Sequence, residues 1–229
     1  MKFLSITTSS NICSISLFKE NTPIDTLEVD NEKTHSEKFL PLLKHLMDEN
    51  NVCFRDLTYI AIDVGPGSFT GIRIGIASIK AIAEVHNLKI IGVTSLKALS
   101  YNSLKENSNV ISLIDARNNQ VYARAYDCTK NKEMYLADDI FNILDKVKPI
   151  VSSNTIFIGN GAKLHMDIIK NTFGANVKFS NNNNLSSISL GHASYELYKE
   201  EKFDNADTIS PFYLRQSQAE RLKGLNKNG

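Results

Sequence analysis

The chain has 229 residues, 26 of them basic and 25 acidic, for a formal net charge of +1. That length accommodates one large α/β unit or two domains of about 100 residues, either with a core of its own. The even balance excludes the strongly basic surface of a duplex-binding protein, so any RNA contact has to be local or shared with a partner.

Three strands open the chain. Runs rich in β-branched and aromatic side chains at residues 2–6, 12–18 and 24–29 are separated by the turns Ser9-Ser10-Asn11 and Asn21-Thr22-Pro23, which makes two successive hairpins. A helix is expected next, because Thr34-His35-Ser36-Glu37 has capping-box spacing: the first hydroxyl accepts from the fourth residue's amide while the glutamate reaches back. Its apolar stripe is Phe39, Leu42, Leu43 and Leu46. Pro41 falls inside, where it removes a hydrogen bond and crowds the preceding turn, so a kink or a boundary is expected there. Residues 58–64 and 89–93 are the fourth and fifth strands, with a long helix over about 70–85 between them.

The second half restarts with strands at 110–114 and 120–127, a helix around 140–147, a strand at 155–158 and a helix after Gly161. An asparagine run at 181–184, flanked by serines, reads as a loop, and 189–200 as a further helix. Three antiparallel strands followed by a helix–strand–helix–strand series is the order of a ribonuclease-H-like unit, and such units often come in pairs.

Cys13, Cys53 and Cys128 are odd in number, widely spaced and form no Cys-x-x-Cys pair. Neither a disulfide framework nor a zinc ribbon is supported, which points to a reducing compartment. The start runs straight into strand-like alternation, and no stretch approaches the ~20 apolar residues of a membrane span. A soluble, cytoplasmic protein without a membrane partner is expected.

The stretch from Val64 to Glu84 carries the most information. A strand ends, Gly65-Pro66-Gly67 turns, and a helix begins, so free amides and a positive helix end converge on one spot. A phosphate cradle is the first reading, but the Gly-Lys-Ser/Thr of a Walker loop is missing and the glycines do not form G-x-G-x-x-G. The helix itself is apolar nearly all round: Ile72, Ile74, Ile76, Ala77, Ile79, Ala81, Ile82, Ala83 and Val85 leave only a narrow stripe of Arg73, Lys80 and Glu84. Such a helix is either central core or carries a second apolar face that meets another domain, helix or chain, and the small size of each half favours the second. Gly71 and Gly75 share one side of it, where close approach of a neighbouring helix is expected.

Other patterns are weaker. Asp63 and Asp115 end strands and either form an acid–base or metal pair across a cleft or each cap a turn or pair with an arginine such as Arg117. Gly159-Asn160-Gly161 before a helix is a second possible anion site, although G-x-G alone is common. The histidines are scattered with no His-Glu-x-x-His, and Arg215, Arg221, Lys223 and Lys227 form a basic tail that is either solvated or touches RNA phosphate in a larger assembly.

Five stretches occur in the order of one family: His35-Ser-Glu-Lys-Phe-Leu-Pro41, Gly65-Pro-Gly-Ser-Phe-Thr-Gly-Ile-Arg-Ile-Gly75, Val93-Thr-Ser-Leu-Lys-Ala-Leu99, Asp115-Ala-Arg-Asn-Asn-Gln-Val-Tyr122 and Pro211-Phe-Tyr-Leu-Arg215. Through them the chain, up to about residue 215, resembles the TsaB (YeaZ-like) family. That family supplies the dimerisation subunit of the bacterial tRNA threonylcarbamoyladenosine (t6A) biosynthesis complex. The resemblance implies an α/β, actin-like (ASKHA) fold of two ribonuclease-H-like lobes, with mixed sheets flanked by helices. Residues 1–100, joined by 211–225, would form the first lobe and 101–210 the second.

The resemblance further implies a non-catalytic subunit that binds and stabilises a TsaD-type transferase, which moves a threonylcarbamoyl group onto the adenosine beside the anticodon of ANN-decoding tRNAs. A TsaE-type ATPase is implied as third component, with tRNA met only through the complex and a homodimer possible when the chain is alone. The partner surface is expected on the first two helices, at His35, Phe39, Leu42, Leu43 and Leu46 and at Phe69, Gly71, Ile72, Arg73, Gly75, Ile76 and Ile79.

Two departures bear on chemistry. Catalytic relatives carry a metal-binding His-x-x-x-His on the first helix, one turn apart on one face, whereas here His35 is followed four positions on by Phe39. Most of the wider family places an Asp at the end of the first strand to help hold Mg-nucleotide; here Thr7 stands there, a hydroxyl without charge. No catalytic residue, no metal and no resident cofactor are therefore expected, with ATP or ADP confined to the interface with the partner. Thr7, Gly159 and Gly161 stay as weak candidates for nucleotide contact. The alternatives are an ATP-binding enzyme of the actin and sugar-kinase group and, as a third reading, a metallopeptidase.

Overall fold

The protein is represented by a computed structural model that describes residues 1–30, 35–103 and 108–214. In the first half, β1 (Lys2–Thr7), β2 (Ile12–Lys19) and β3 (Thr22–Asp30) are followed by α1 (His35–Glu49), β4 (Tyr59–Gly65), α2 (Phe69–His86) and β5 (Lys89–Thr94). A short helix, α3 (Ser95–Ser100), leads to β6 (Asn109–Asp115), β7 (Gln120–Asp127), β8 (Lys132–Asp139), α4 (Ile140–Val147), β9 (Thr155–Ile158), α5 (Asn160–Leu164), α6 (Met166–Phe173), β10 (Lys178–Phe179) and α7 (Ser187–Lys199).

The strands form two mixed five-stranded sheets of the same plan, ordered β3-β2-β1-β4-β5 and β10-β9-β6-β7-β8. In each, three strands run antiparallel and two join by parallel pairing, so the expected pair of ribonuclease-H-like lobes is the observed architecture. Strand alternation sends side chains to opposite faces. Leu4, Ile6, Ile15, Leu17, Ile60 and Ile62 meet α1 and α2 on one face of the first sheet, while Phe3, Phe18, Tyr59, Ala61, Ile91 and Val93 meet α7 on the other.

Several expectations are corrected. The second turn is Glu20-Asn21 and not 21–23: Glu20 takes a left-handed φ of 51°, and Thr22 and Pro23 already lie in β3, Pro23 opposite Phe18 beside a register shift. An edge strand tolerates proline because its outer side has no neighbouring strand to bond. Strand β8 is absent from the sequence reading because Lys-Glu-Met-Tyr-Leu-Ala-Asp-Asp has no β-branched run; pairing with β7 along its whole length defines it.

Pro41 neither ends nor divides α1, which runs 15 residues through it. Phe39, Leu43, Leu46 and Met47 are buried, and at roughly 1.5–3 kcal/mol per buried side chain their packing exceeds the ~3 kcal/mol cost of a proline in a helix interior. Because Pro41 itself is exposed, Pro41→Ala is expected to stabilise the protein by about 1–2 kcal/mol, the gain in helix being partly offset by a looser unfolded chain. Urea unfolding followed by circular dichroism checks this. The capping box at 34–37, the side chain of His35 and the basic tail from Arg215 onward lie outside the described residues.

The expected division at residues 100 and 211 also moves. Helix α7, placed by sequence in the second lobe, packs on the first sheet, where Leu190 and Ala193 share a cluster with Phe3, Phe18 and Tyr59. A Cβ on Gly191 would lie 2.3 Å from the Phe18 ring, so the helix sits against the sheet at glycine distance. The Ser5 hydroxyl donates to the Ser187 carbonyl at 2.7 Å, and the Ser14 and Ser16 hydroxyls each meet the Ser187 hydroxyl at 2.6 Å. The chain then stays with the first lobe: Asp204 bridges to Ile90, Ile209 enters the first core and the Phe212 amide donates to the Val64 carbonyl at 2.8 Å. An amphipathic pattern identifies a helix but not the sheet it covers. Among the described residues no helix is long and apolar enough to cross a membrane.

Candidate functional site

Between the lobes lies a cleft of about 940 Å³. One wall is the β1–β2 turn (Ser9, Ser10, Asn11) with Pro66, Gly67, Ser68 and Phe69 at the start of α2; the other includes Asp115, Arg117 and Tyr122, with Asn160, Asn183 and Asn184. The Gly-Pro-Gly turn has a packing reason. Gly65 adopts φ +97°, a region L side chains avoid, and a Cβ on Gly67 would lie 2.5 Å from the Ser9 carbonyl oxygen. The Ser68 amide donates to that same carbonyl at 2.7 Å, and the Ser68 hydroxyl caps α2 by accepting from the Gly71 amide.

The two strand-end aspartates do not form a pair. Asp63 is fully buried, accepting from the Ser9 hydroxyl, the Ser95 hydroxyl (2.5 Å) and the Gly65 amide (2.8 Å); burial pushes its carboxyl up to about 6 against these three donors. Asp115 lines the cleft, and its Oδ1 accepts from the Arg117 amide at 2.8 Å. Each therefore caps a turn, which was one of the two readings left open for them. Arg117, Asn118 and Asn119 follow with φ of 66°, 52° and 57°, a left-handed run that turns β6 into β7.

The weak nucleotide candidates are not assembled into a cradle. Thr7 is buried at the end of β1, with no hydrogen-bond partner for its hydroxyl among the described residues. Gly159 and Gly161 belong to the other lobe: the Gly159 amide donates to Asn183 Oδ1 at 2.8 Å, and Cβ atoms on the two glycines would lie 2.2 Å and 2.9 Å from the Leu113 carbonyl group. These glycines let α5 approach β6. The residues present thus fit Mg-nucleotide poorly, because Asp115 is the one carboxylate lining the cleft among the described residues and it already holds a backbone amide.

The first two helices place the expected partner residues on two different sides. Phe39, Leu43, Leu46, Ile72, Ile76 and Ile79 are buried in the lobe's own core, with Leu42 packed against it. The glycine side of α2 also faces inward, which corrects the helix–helix expectation: Thr8 donates to the Gly71 carbonyl at 2.8 Å, and a Cβ on Gly75 would sit 2.4 Å from the Thr8 hydroxyl. The side chain admitted by Gly75 is Thr8 of the same lobe.

The outward face of α2 is different in composition. Thr70, Arg73, Ala77, Ala81, Glu84 and Val85 are exposed, Val85 at 77%, and Ile74, Ser78 and Ile82 are half-buried between them. Of the expected partner residues only Phe69 and Arg73 lie here. Beside it α1 exposes Leu40, at 48%, with Pro41, Lys44 and His45. A signal for this face existed in the sequence, since 73-77-81-85 and 70-74-78-82 form two rows at helical spacing of four.

Comparison with known proteins agrees with this architecture. The family model for tRNA N6-adenosine threonylcarbamoyltransferase, TsaD, matches residues 29–223. The tRNA threonylcarbamoyladenosine biosynthesis protein TsaB of Bacillus subtilis (strain 168) is 28% identical, with 96% of each chain covered. YeaZ from Pseudomonas aeruginosa superposes with a TM-score of 0.76 at 20% identity, covering 93% of this chain and all of that one. The ROK hexokinase of Thermus thermophilus, at a TM-score of 0.56 and 9% identity over 88% of this chain and all of that one, shares the actin-like fold. With its two mixed sheets, its Gly65 to Gly75 turn and helix, and a match over nearly its whole length, the chain belongs to the TsaB (YeaZ-like) branch of the tRNA threonylcarbamoyladenosine biosynthesis family.

Proposed function

We propose that this chain is a non-catalytic subunit of t6A biosynthesis that binds and stabilises a TsaD-type transferase through the outward face of α2, with α1 beside it. The observation that carries this reading is the row of small and apolar side chains on the outer side of α2, with Ala77, Ala81 and Val85 exposed and Ile74 and Ser78 half-buried. Alanine and serine allow a second helix to approach to about 8–10 Å, and the flanking Ile74 and Val85 then exchange water for apolar contact. The reading includes a TsaE-type ATPase as third component, tRNA contact only through the complex, and self-association through the same face when the partner is absent. Thr7 at the end of β1 and the sealed position of Asp63 weigh against an ATP-dependent enzyme of the sugar-kinase type.

Co-expression with the TsaD-type subunit tests it. Ala81→Glu puts a carboxylate at the middle of the face, where complex formation would bury it unpaired, and is expected to weaken the heterodimer at least about tenfold. Its thermal midpoint should stay within about 2 °C of the parent, because Ala81 is exposed in the free chain. Undiminished co-elution of this variant rejects the face.

A further inference from the structure

At its N-terminal end the α2 face is completed by a part of the chain far from it in sequence. Segment 209–213 returns to the first lobe, where Ile209 is buried and the Phe212 amide is tied to Val64. That docking sets Tyr213 over the first turn of α2. Its ring stacks on Phe69, with centroids 5.2 Å apart and planes 25° apart, and its hydroxyl accepts from Arg73 Nε at 3.0 Å. The Arg73 guanidinium lies 3.8 Å from the centroid of Phe69. All three side chains stay at the surface, Phe69 at 37% and Tyr213 at 44% exposure.

A long surface arginine normally samples many rotamers, and holding one in a single orientation costs conformational entropy. Here the Phe69 ring lies against its guanidinium and the Tyr213 hydroxyl, set in place by stacking on Phe69, accepts from its Nε, and Arg73 makes no ion pair with any described residue. Its two Nη groups are left as a fork of donors whose geometry matches a carboxylate. Arginine and tyrosine preorganised at the edge of an apolar helix face also have the composition of interface hot spots.

We infer that Phe69, Arg73 and Tyr213 form a preorganised guanidinium platform that takes a carboxylate of the TsaD-type partner, with Tyr213 as the residue that positions Arg73. This rests on the proposed partner role of α2. The C-terminal segment is therefore part of the recognition surface, and the first turn of α2 recognises charge where the rest of the helix offers apolar contact. The alternative use of the cluster is to pin the C-terminal segment to the lobe.

Titration of the full chain against the TsaD-type subunit at 50 and 300 mM NaCl separates the two. Arg73→Ala and Tyr213→Ala are each expected to weaken binding about tenfold at low salt, and the double variant about tenfold as well, because both remove one shared interaction. Tyr213→Phe keeps the stack and loses the hydroxyl, and should fall between. The parent's affinity should drop with salt more steeply than that of Arg73→Ala. If the parent itself forms no complex, or Ala81→Glu binds as well as the parent, the partner reading fails. If the parent binds, Ala81→Glu does not, and Arg73→Ala keeps the parent's affinity and salt dependence, the platform is overturned while the face stands. Should Tyr213→Ala lower the thermal midpoint, Arg73→Ala alone decides, since its side chain is exposed. Losses in the two single variants that multiply in the double variant overturn the positioning role of Tyr213.

Discussion

Gly75→Leu is expected to lower the thermal midpoint by about 10 °C, the signature of about 3 kcal/mol lost in a chain of this size. The Cβ alone would lie 2.4 Å from the Thr8 hydroxyl and 3.3 Å from both Thr8 Cγ2 and Ile62 Cδ1. Thr8 is fully buried and short, and it cannot swing aside without giving up its bond to the Gly71 carbonyl, itself worth about 1 kcal/mol. Leucine recovers a little under 1 kcal/mol of helix propensity relative to glycine, too little to offset the overpacking. Gly75→Ala, which adds only the Cβ, should lie between parent and leucine variant. Differential scanning calorimetry on the free chain measures all three. The result also decides how partner binding is to be tested: loss of complex by a Gly75 variant would report damage to the lobe, whereas Ala81→Glu changes a side chain that is exposed in the free chain.

The second large effect is a pH dependence centred on Asp63. Its folded carboxyl is raised to about 6 from an unfolded value near 3.8. The native state therefore binds this proton more tightly than the unfolded state, and the sign follows from linkage: the contribution of Asp63 is most favourable below about pH 4, declines as pH rises, and levels off above about pH 6. A difference of about two pH units corresponds to about 3 kcal/mol across that window. Asp63→Asn should abolish the decline, since its carbonyl still accepts from the Gly65 amide and its NH2 group can donate to Ser9. Above pH 7 the variant should equal or exceed the parent in stability. The measurement is the difference between parent and variant in urea midpoint from pH 4 to 8, which cancels the carboxylates Asp56, Asp127 and Asp138, whose depressed values act in the opposite direction. A parent-minus-variant difference that stays flat from pH 4 to 8 would show that Asp63 is ionised throughout.

These two residues also mark how far each part of the molecule was readable. Asp63 was visible as a strand-end carboxylate, but whether it faced the cleft or the interior depended on Ser9 and Ser95, which come from a turn and a helix on either side of it in sequence. Gly75 was visible as part of a regular glycine row. Its neighbour, however, is Thr8 on a turn of the first hairpin, and helical periodicity contains no information about that turn.

What the amino-acid order determined unaided is the kind and succession of the elements, and with them the family. Alternation in the strands, the Gly-Pro-Gly turn into an apolar helix, and the three antiparallel strands before a helix–strand–helix–strand series in the first half are local patterns, and local patterns carry secondary structure because its hydrogen bonds and side-chain directions recur every two or every 3.6 residues. The tertiary structure alone decided which arc of α2 meets its own sheet and which is left exposed, that α7 covers the first sheet and not the second, that α1 continues through Pro41, and that Tyr213 closes over Arg73. Each of these depends on residues distant in sequence competing for the same surface. Burial, unlike periodicity, is settled only when every neighbour is in place.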